Sequence, residues 1–129
     1  MDKLESEVYQ NFKRALRPYD IHVERIENAA KSGIFDVALS RGGKTLWVEL
    51  KRSGFHQLET SQLKWALDRY AVGCVKDMCV VAQALNMWLI YDITKVLQVN
   101  GKLRDAKETT VAVSGEAMRQ FVKEFFDGH

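Results

Sequence analysis

The sequence predicts an α/β domain, because its hydrophobic periodicity alternates between helical and strand-like along 129 residues. Three observations support this prediction: an apolar four-residue spacing near the N-terminus, an alternating hairpin around Gly42-Gly43, and two short strand-forming runs between residues 78 and 91. We expect one domain over residues 1–129. A chain of this length buries roughly two-thirds of its unfolded surface without disulfides or structural metals.

The first predicted element is an amphipathic helix from residue 3 to residue 16. Its apolar residues recur at four-residue steps from Leu4 to Leu16, and Pro18 ends it. A short strand, residues 21–26, follows.

A β-hairpin comes next, and its register follows from its turn. Gly42-Gly43 favours a two-residue turn in which both residues have positive φ. Closing the hairpin there pairs Arg41 with Lys44 and, five steps further, Asp36 with Glu49. One face is then apolar throughout, and Lys51 shares the other face with the two acids. The apolar face comprises Val37, Leu39, Leu46, Val48 and Leu50.

After a loop over residues 53–59, Thr60 or Ser61 can cap a second helix that ends near Gly73. Its predicted buried stripe consists of Leu63, Ala66, Leu67 and Tyr70.

Residues 78–82 and 87–91 are predicted buried strands joined around Leu85-Asn86, and residues 100–108 are a predicted surface loop. A strand over 109–113 precedes Ser114, which caps a final helix. The predicted apolar side of that helix consists of Met118, Phe121, Val122 and Phe125.

The opposed acids Asp36 and Glu49 are the main functional signal. Directly opposite residues on antiparallel strands have Cβ atoms about 4.5–5.5 Å apart, so two carboxylates there repel each other. A divalent cation removes this repulsion, and Mg²⁺ or Mn²⁺ prefers such oxygen ligands. The alternative interpretation is an ordinary solvated hairpin face on which Lys51 balances two acids.

Composition narrows the cellular setting and the class of partner. The formal charge of +2 indicates that any nucleic-acid contact depends on local basic clusters, of which Lys51-Arg52 adjoins the acids. Cys74 and Cys79 fit neither a redox pair nor a zinc ribbon and favour reduced thiols. No apolar run is long enough for a membrane span, and the N-terminus is unlike a signal peptide. We therefore expect a cytoplasmic protein.

The chain resembles the PD-(D/E)xK nuclease superfamily, in particular its small VRR-NUC and Holliday-junction-resolvase members. The resemblance covers residues 4–91 and is carried by Gly33-x-x-Asp36, Glu49-Leu50-Lys51 and a Ser-Gln helix start at Gln62, in that order. The family usually has proline before the first acid, where this chain has Phe35. The resemblance implies a restriction-endonuclease-like fold, in which helices flank a mixed central β-sheet.

The resemblance also implies roles. Asp36, Glu49 and the backbone carbonyl of Leu50 would hold Mg²⁺ (or Mn²⁺), and Lys51 would position or deprotonate the attacking water. Gln62 matches a glutamine that lines the site, and Glu7 matches a first-helix glutamate that approaches the metal. Each has a structural alternative: a polar residue in a helix's first turn for Gln62, and a surface acid near a helix start for Glu7. Glu5 is the other choice for this glutamate.

The expected function is metal-dependent hydrolysis of DNA phosphodiester bonds by an endonuclease acting on branched DNA such as four-way junctions. Alternatives are a nicking, single-strand or exonucleolytic DNase of the same fold, or a non-catalytic DNA-binding module. We expect a homodimer, as in stand-alone family members.

Trp47 could stack on a base or pack under a helix, and His56 fits a surface loop. Trp65, Phe121 and Phe126 could extend a dimer interface or complete the core.

Overall fold

The computed structural model describes residues 3–26, 33–52, 57–108 and 110–128, with side chains from residue 6 onward. It contains four helices and six strands within these ranges. The helices are α1 (Lys3–Leu16), α2 (Thr60–Ala71), α3 (Ile93–Gln98) and α4 (Gly115–Asp127), and a 3₁₀ turn spans Leu103–Asp105. The strands are β1 (His22–Arg25), β2 (Val37–Arg41), β3 (Lys44–Arg52), β4 (Met78–Ala84), β5 (Met87–Asp92) and β6 (Thr110–Ala112).

The six strands form one mixed sheet in the order β1-β2-β3-β4-β5-β6. Only β3 and β4 run parallel, and the other four neighbouring pairs are antiparallel. The parallel pair needs a long connection, which contains α2. The β2–β3 hairpin therefore contributes one strand, β3, to the central parallel pair.

The hairpin has the predicted register. Val37 pairs with Val48 and Arg41 with Lys44, and both turn glycines have positive φ, at 59° and 81°. This confirms that residues 37, 39, 46, 48 and 50 share one face, and all five are buried.

Each face of the sheet has its own apolar core. One face packs against α1 and α4 through Phe12, Leu16, Met118 and Val122. The other packs against α2, α3 and the 3₁₀ turn. Glu49 and Lys51 belong to this second face, because they alternate with Leu50 of the first.

Several sequence-based predictions need correction. Neither Thr60 nor Ser61 caps α2, because the helix begins at Thr60 and Glu59 is its N-cap. Leu67 and Tyr70 are 45% and 36% exposed and do not form a buried stripe.

Residues 100–108 are not simply a surface loop, since Gly101 and Leu103 are buried and a 3₁₀ turn begins at Leu103. The short helix α3 was not predicted. It lies between the predicted strand 87–91 and the predicted loop 100–108, and its apolar residues Ile93 and Val96 are buried. In α4, the buried side chains are Met118, Val122 and Phe126, while Phe121 and Phe125 are half-buried.

None of the helices within the described ranges is long and apolar enough to cross a membrane.

Candidate active site

The two acids lie at the open end of the hairpin, one step beyond its last ladder pair. Asp36 directly precedes β2, and Glu49 lies within β3. The Asp36 backbone N–H donates to Glu49 Oε1 at 3.1 Å, and the Leu50 N–H donates to Asp36 Oδ1 at 3.0 Å. Glu49 therefore accepts a hydrogen bond from the backbone of Asp36, and Asp36 accepts one from the backbone of Leu50, which follows Glu49. The predicted proximity of the acids is confirmed.

Glu49, Lys51 and Gln62 are the buried polar or charged side chains within the described ranges, with exposures of 3%, 7% and 6%. They contact one another. Gln62 Nε2 donates to Glu49 Oε2 at 2.7 Å, and Lys51 Nζ donates to Gln62 Oε1 at 3.1 Å. Lys51 Nζ also lies 3.3 Å from Glu49 Oε2. Burial of such groups is unfavourable unless they are paired, and this network satisfies them.

The electrostatics of Glu49 reflect its burial and its neighbours. Burial, and then the negative charge of Asp36, raise the pKa of Glu49 to about 8, although Lys51 acts in the opposite direction. The site therefore disfavours a second bare negative charge. A cation that binds both acids would reverse this preference.

The first turn of α2 delivers Gln62 to the strand because Gly33 lies directly against it. A Cβ atom on Gly33 would be 2.1 Å from the Ser61 carbonyl oxygen, and Gly33 has φ of 76°. Only glycine permits both the contact and this backbone conformation. The glycine of the Gly-x-x-Asp motif thus lets α2 approach closely enough for Gln62 to reach Glu49.

Gln62 also stabilises the helix start. Its Oε1 accepts from the Glu59 backbone N–H at 2.9 Å, as in a capping box. One amide group therefore links the N-terminus of α2, the buried lysine and the buried glutamate.

Aromatic residues hold the rest of α2 against the sheet. Phe35 is fully buried, and its ring lies 4.9 Å from that of Trp65. Trp47 also contacts Trp65, edge to face, with a ring separation of 5.5 Å. The Arg69 guanidinium lies 5.2 Å from the Trp65 ring centre and is paired with Asp77. Trp47 therefore packs under a helix, and Phe35 helps to fix α2.

The structure does not bring Glu7 into this network. Glu7 is exposed on α1, whose buried residues Val8 and Phe12 pack on the opposite face of the sheet. The side chain of Glu5 and all of His56 lie outside the described residues.

Sequence reasoning missed the positioning roles of Gly33, Phe35 and Trp65. The only signal was the Gly-x-x-Asp spacing, because the contacts themselves join distant segments.

The residues present suit a hard divalent cation. Within the described ranges, no third His, Cys, Asp or Glu joins Asp36 and Glu49 in a cluster. Mg²⁺ is commonly held by one or two carboxylates and completes its shell with water and substrate phosphate oxygens. The carbonyl of Leu50, between Glu49 and Lys51, is a further candidate oxygen ligand.

Comparison with known proteins identifies the fold. No protein-family model matches the chain, and a search of curated proteins finds no match. Among solved structures, the chain is similar to a Holliday junction resolvase from the archaeal hyperthermophile Archaeoglobus fulgidus, with a TM-score of 0.55. The match covers 72% of this chain and 75% of that chain at 10% sequence identity. The fold is therefore the expected one: an α/β, restriction-endonuclease-like arrangement of a mixed sheet flanked by helices.

Proposed function

We propose that this chain is a metal-dependent DNA endonuclease that hydrolyses phosphodiester bonds in branched DNA, such as four-way junctions. The observation that carries the proposal is the buried contact of Glu49, Lys51 and Gln62 beside Asp36. An ordinary hairpin face would leave these side chains in water. Burying a carboxyl group, an ammonium and an amide together has an energetic cost that a catalytic role explains.

Asp36, Glu49 and the Leu50 carbonyl would hold Mg²⁺ or Mn²⁺. With both acids ionised, as metal binding requires, the two carboxylates and the Lys51 ammonium carry a formal charge of −1, which disfavours an approaching phosphodiester anion. A bound divalent cation would change the sum to +1. It would supply Lewis-acid stabilisation of the charge that develops on the phosphate.

Lys51 is the candidate for the water-handling role. Its position two residues after Glu49 places its ammonium beside the acids, where it can hold an attacking water and offset charge in the transition state. Gln62 fixes the Lys51 ammonium through Oε1 and the Glu49 carboxylate through Nε2. We assign Gln62 to orienting these two groups. Glu7, exposed on α1, is proposed as a residue that approaches the metal on the family resemblance alone.

The substrate class is supported by the structural neighbour, whose name describes a Holliday junction resolvase. We propose that this chain, like that protein, acts on branched DNA. A homodimer would present two such sites to two strands.

The test is a cleavage assay with labelled four-way junction, flap, single-stranded and linear duplex DNA, with and without Mg²⁺ or Mn²⁺. Wild type is expected to cut the junction when metal is present. Asp36→Asn and Lys51→Met should reduce the rate at least about 100-fold. Glu24→Gln, which neutralises an exposed acid on β1, is the matched control and should cut normally.

Each outcome assigns the chain to one class. Preferential cutting of single strands or linear ends would indicate another DNase mode with the same site. Binding of DNA without cutting in either metal would indicate a non-catalytic module. Equal activity of wild type, Asp36→Asn and Lys51→Met would contradict the site assignment.

A further inference from the structure

The turn that contains Lys102 and Arg104 is fixed to the protein rather than free. Leu103, between them, is 1% exposed and belongs to the same core cluster as Leu58 and Phe35. The Leu58 N–H donates to the Gly101 carbonyl at 2.8 Å. Gly101 has φ of 79°, and a Cβ there would lie 3.0 Å from the Leu58 Cβ. The backbone that presents the two basic residues is therefore held in one place.

Both basic side chains point away from this anchor. Lys102 and Arg104 are exposed on either side of buried Leu103. Across the described part of the chain, neither forms an ion pair, although Lys64 and Arg69 on nearby α2 are both paired with acids. Two cations without an acidic partner are available to an anionic ligand.

This turn is joined to the segment that leads into α2, the helix that carries Gln62. Lys102 forms a β-bridge with Gln57, and bridged residues have Cα atoms about 4.5–5.5 Å apart. Gln57 is five residues before Gln62, so their Cα atoms are at most about 18 Å apart. With the bridge added, the Cα atoms of Lys102 and Gln62 are at most about 23 Å apart. A DNA strand rises about 3.4 Å per nucleotide, so this limit corresponds to about seven nucleotides. A strand whose scissile phosphate lies at Glu49 and Lys51 can therefore reach the turn.

We infer that Lys102 and Arg104 form a second site, which binds backbone phosphates of the DNA strand within about seven nucleotides of the cleaved bond. The inference rests on the proposed nuclease function. A net charge of only +2 gives no general attraction for DNA, so affinity has to come from local cations. An anchored turn binds phosphate with a smaller loss of conformational entropy than a mobile loop. Such contacts position the strand and carry no sequence preference.

The experiment measures binding of a labelled four-way junction by fluorescence anisotropy in EDTA, over 50–300 mM KCl. Each lost phosphate contact lowers the salt slope by about 0.9, so Lys102→Ala/Arg104→Ala should lower it by about 1.8. The same release of counterions corresponds to about 30-fold weaker binding at 0.15 M salt. The exchange variant Lys102→Arg/Arg104→Lys keeps both charges and should stay within about threefold of wild type.

The matched control is Lys13→Ala/Lys76→Ala, which removes the same charge from exposed positions elsewhere. Lys13 is on α1, over the opposite face, and Lys76 precedes β4 at the other end of the parallel pair. This control should bind within about twofold of wild type. All variants should unfold within about 2 °C of wild type, because the substituted side chains are exposed.

Cleavage by the same proteins separates this inference from the function on which it rests. With metal present, Lys102→Ala/Arg104→Ala should raise KM while leaving kcat within about threefold of wild type. If wild type binds and cuts the junction and this variant matches the Lys13/Lys76 control, the second site is wrong and the nuclease assignment stands. If wild type neither binds nor cuts DNA, the proposed function fails and the inference fails with it.

Discussion

Substitution of Glu49 by glutamine should change how the stability of the metal-free protein depends on pH. Burial and the nearby Asp36 raise the pKa of Glu49 from 4.5 to about 8. Between these values the folded protein retains a proton that the unfolded chain releases. The stability contributed by this proton is fully present below about pH 4.5 and is lost as pH rises to about 8.

The size of the effect follows from these pKa values. Each pH unit inside this range corresponds to about 1.4 kcal/mol, so wild type should lose about 2–3 kcal/mol between pH 6 and pH 8.5 because of Glu49. A domain of 129 residues unfolds with an entropy of about 270 cal/mol/K, so this loss lowers the unfolding midpoint by about 10 °C. Glu49→Gln cannot titrate and should lack this loss.

The assay is thermal and urea unfolding in EDTA at pH 6 and pH 8.5. The compared quantity is the difference between the two pH values within each protein. It is insensitive to any fixed cost of placing a glutamine amide against the three donors that Glu49 accepts from. If wild type and Glu49→Gln lose the same stability between pH 6 and pH 8.5, the electrostatic account of the site is wrong.

Three further predictions concern metal binding and packing. Mg²⁺ at ten times its dissociation constant should stabilise wild type by about 1.4 kcal/mol, or about 5 °C, and should not stabilise Asp36→Asn, as calorimetry can show. Gly33→Ala should cost about 3 kcal/mol in urea unfolding, because it combines backbone strain with a clash against α2. Gly73→Ala, with φ of 91° and open space around it, should cost only about 1 kcal/mol, and equal costs would contradict the close-contact argument. A double-mutant cycle of Arg69→Met and Asp77→Asn should give a coupling energy of about 1–2 kcal/mol, and a coupling near zero would show that this pair does not hold α2.

The hairpin and the position of its acids were predictable because the controlling information is local. A diglycine turn fixes the register, and a side-chain period of two then assigns every residue to a face. Asp36 and Glu49 follow from that count. The first helix was predictable for the same reason, since its apolar spacing lies within one segment.

The environment of α2 was not predictable because distant contacts decide it. Leu67 has the right helical spacing but is exposed, whereas polar Gln62 is buried against β3. The close approach of Gly33, about thirty residues earlier, determines which face of α2 meets the sheet.

The burial of residues within 100–108 also depends on contacts with distant segments. Leu103 is buried because it packs in one cluster with Leu58, which lies in the segment before α2. No local sequence pattern indicates this contact. Lys51 was predicted from its spacing to lie beside the acids. Its burial depends on Gln62, which comes from another element.

The most direct test of the central claim is an anomalous difference map from a crystal of this protein soaked in Mn²⁺. The account predicts a strong peak within coordination distance of carboxylate oxygens from both Asp36 and Glu49. The same crystals of Asp36→Asn should lack that peak. A Mn²⁺ ion bound elsewhere, or no peak between these two acids at saturating Mn²⁺, would contradict the claim that this hairpin forms a metal site.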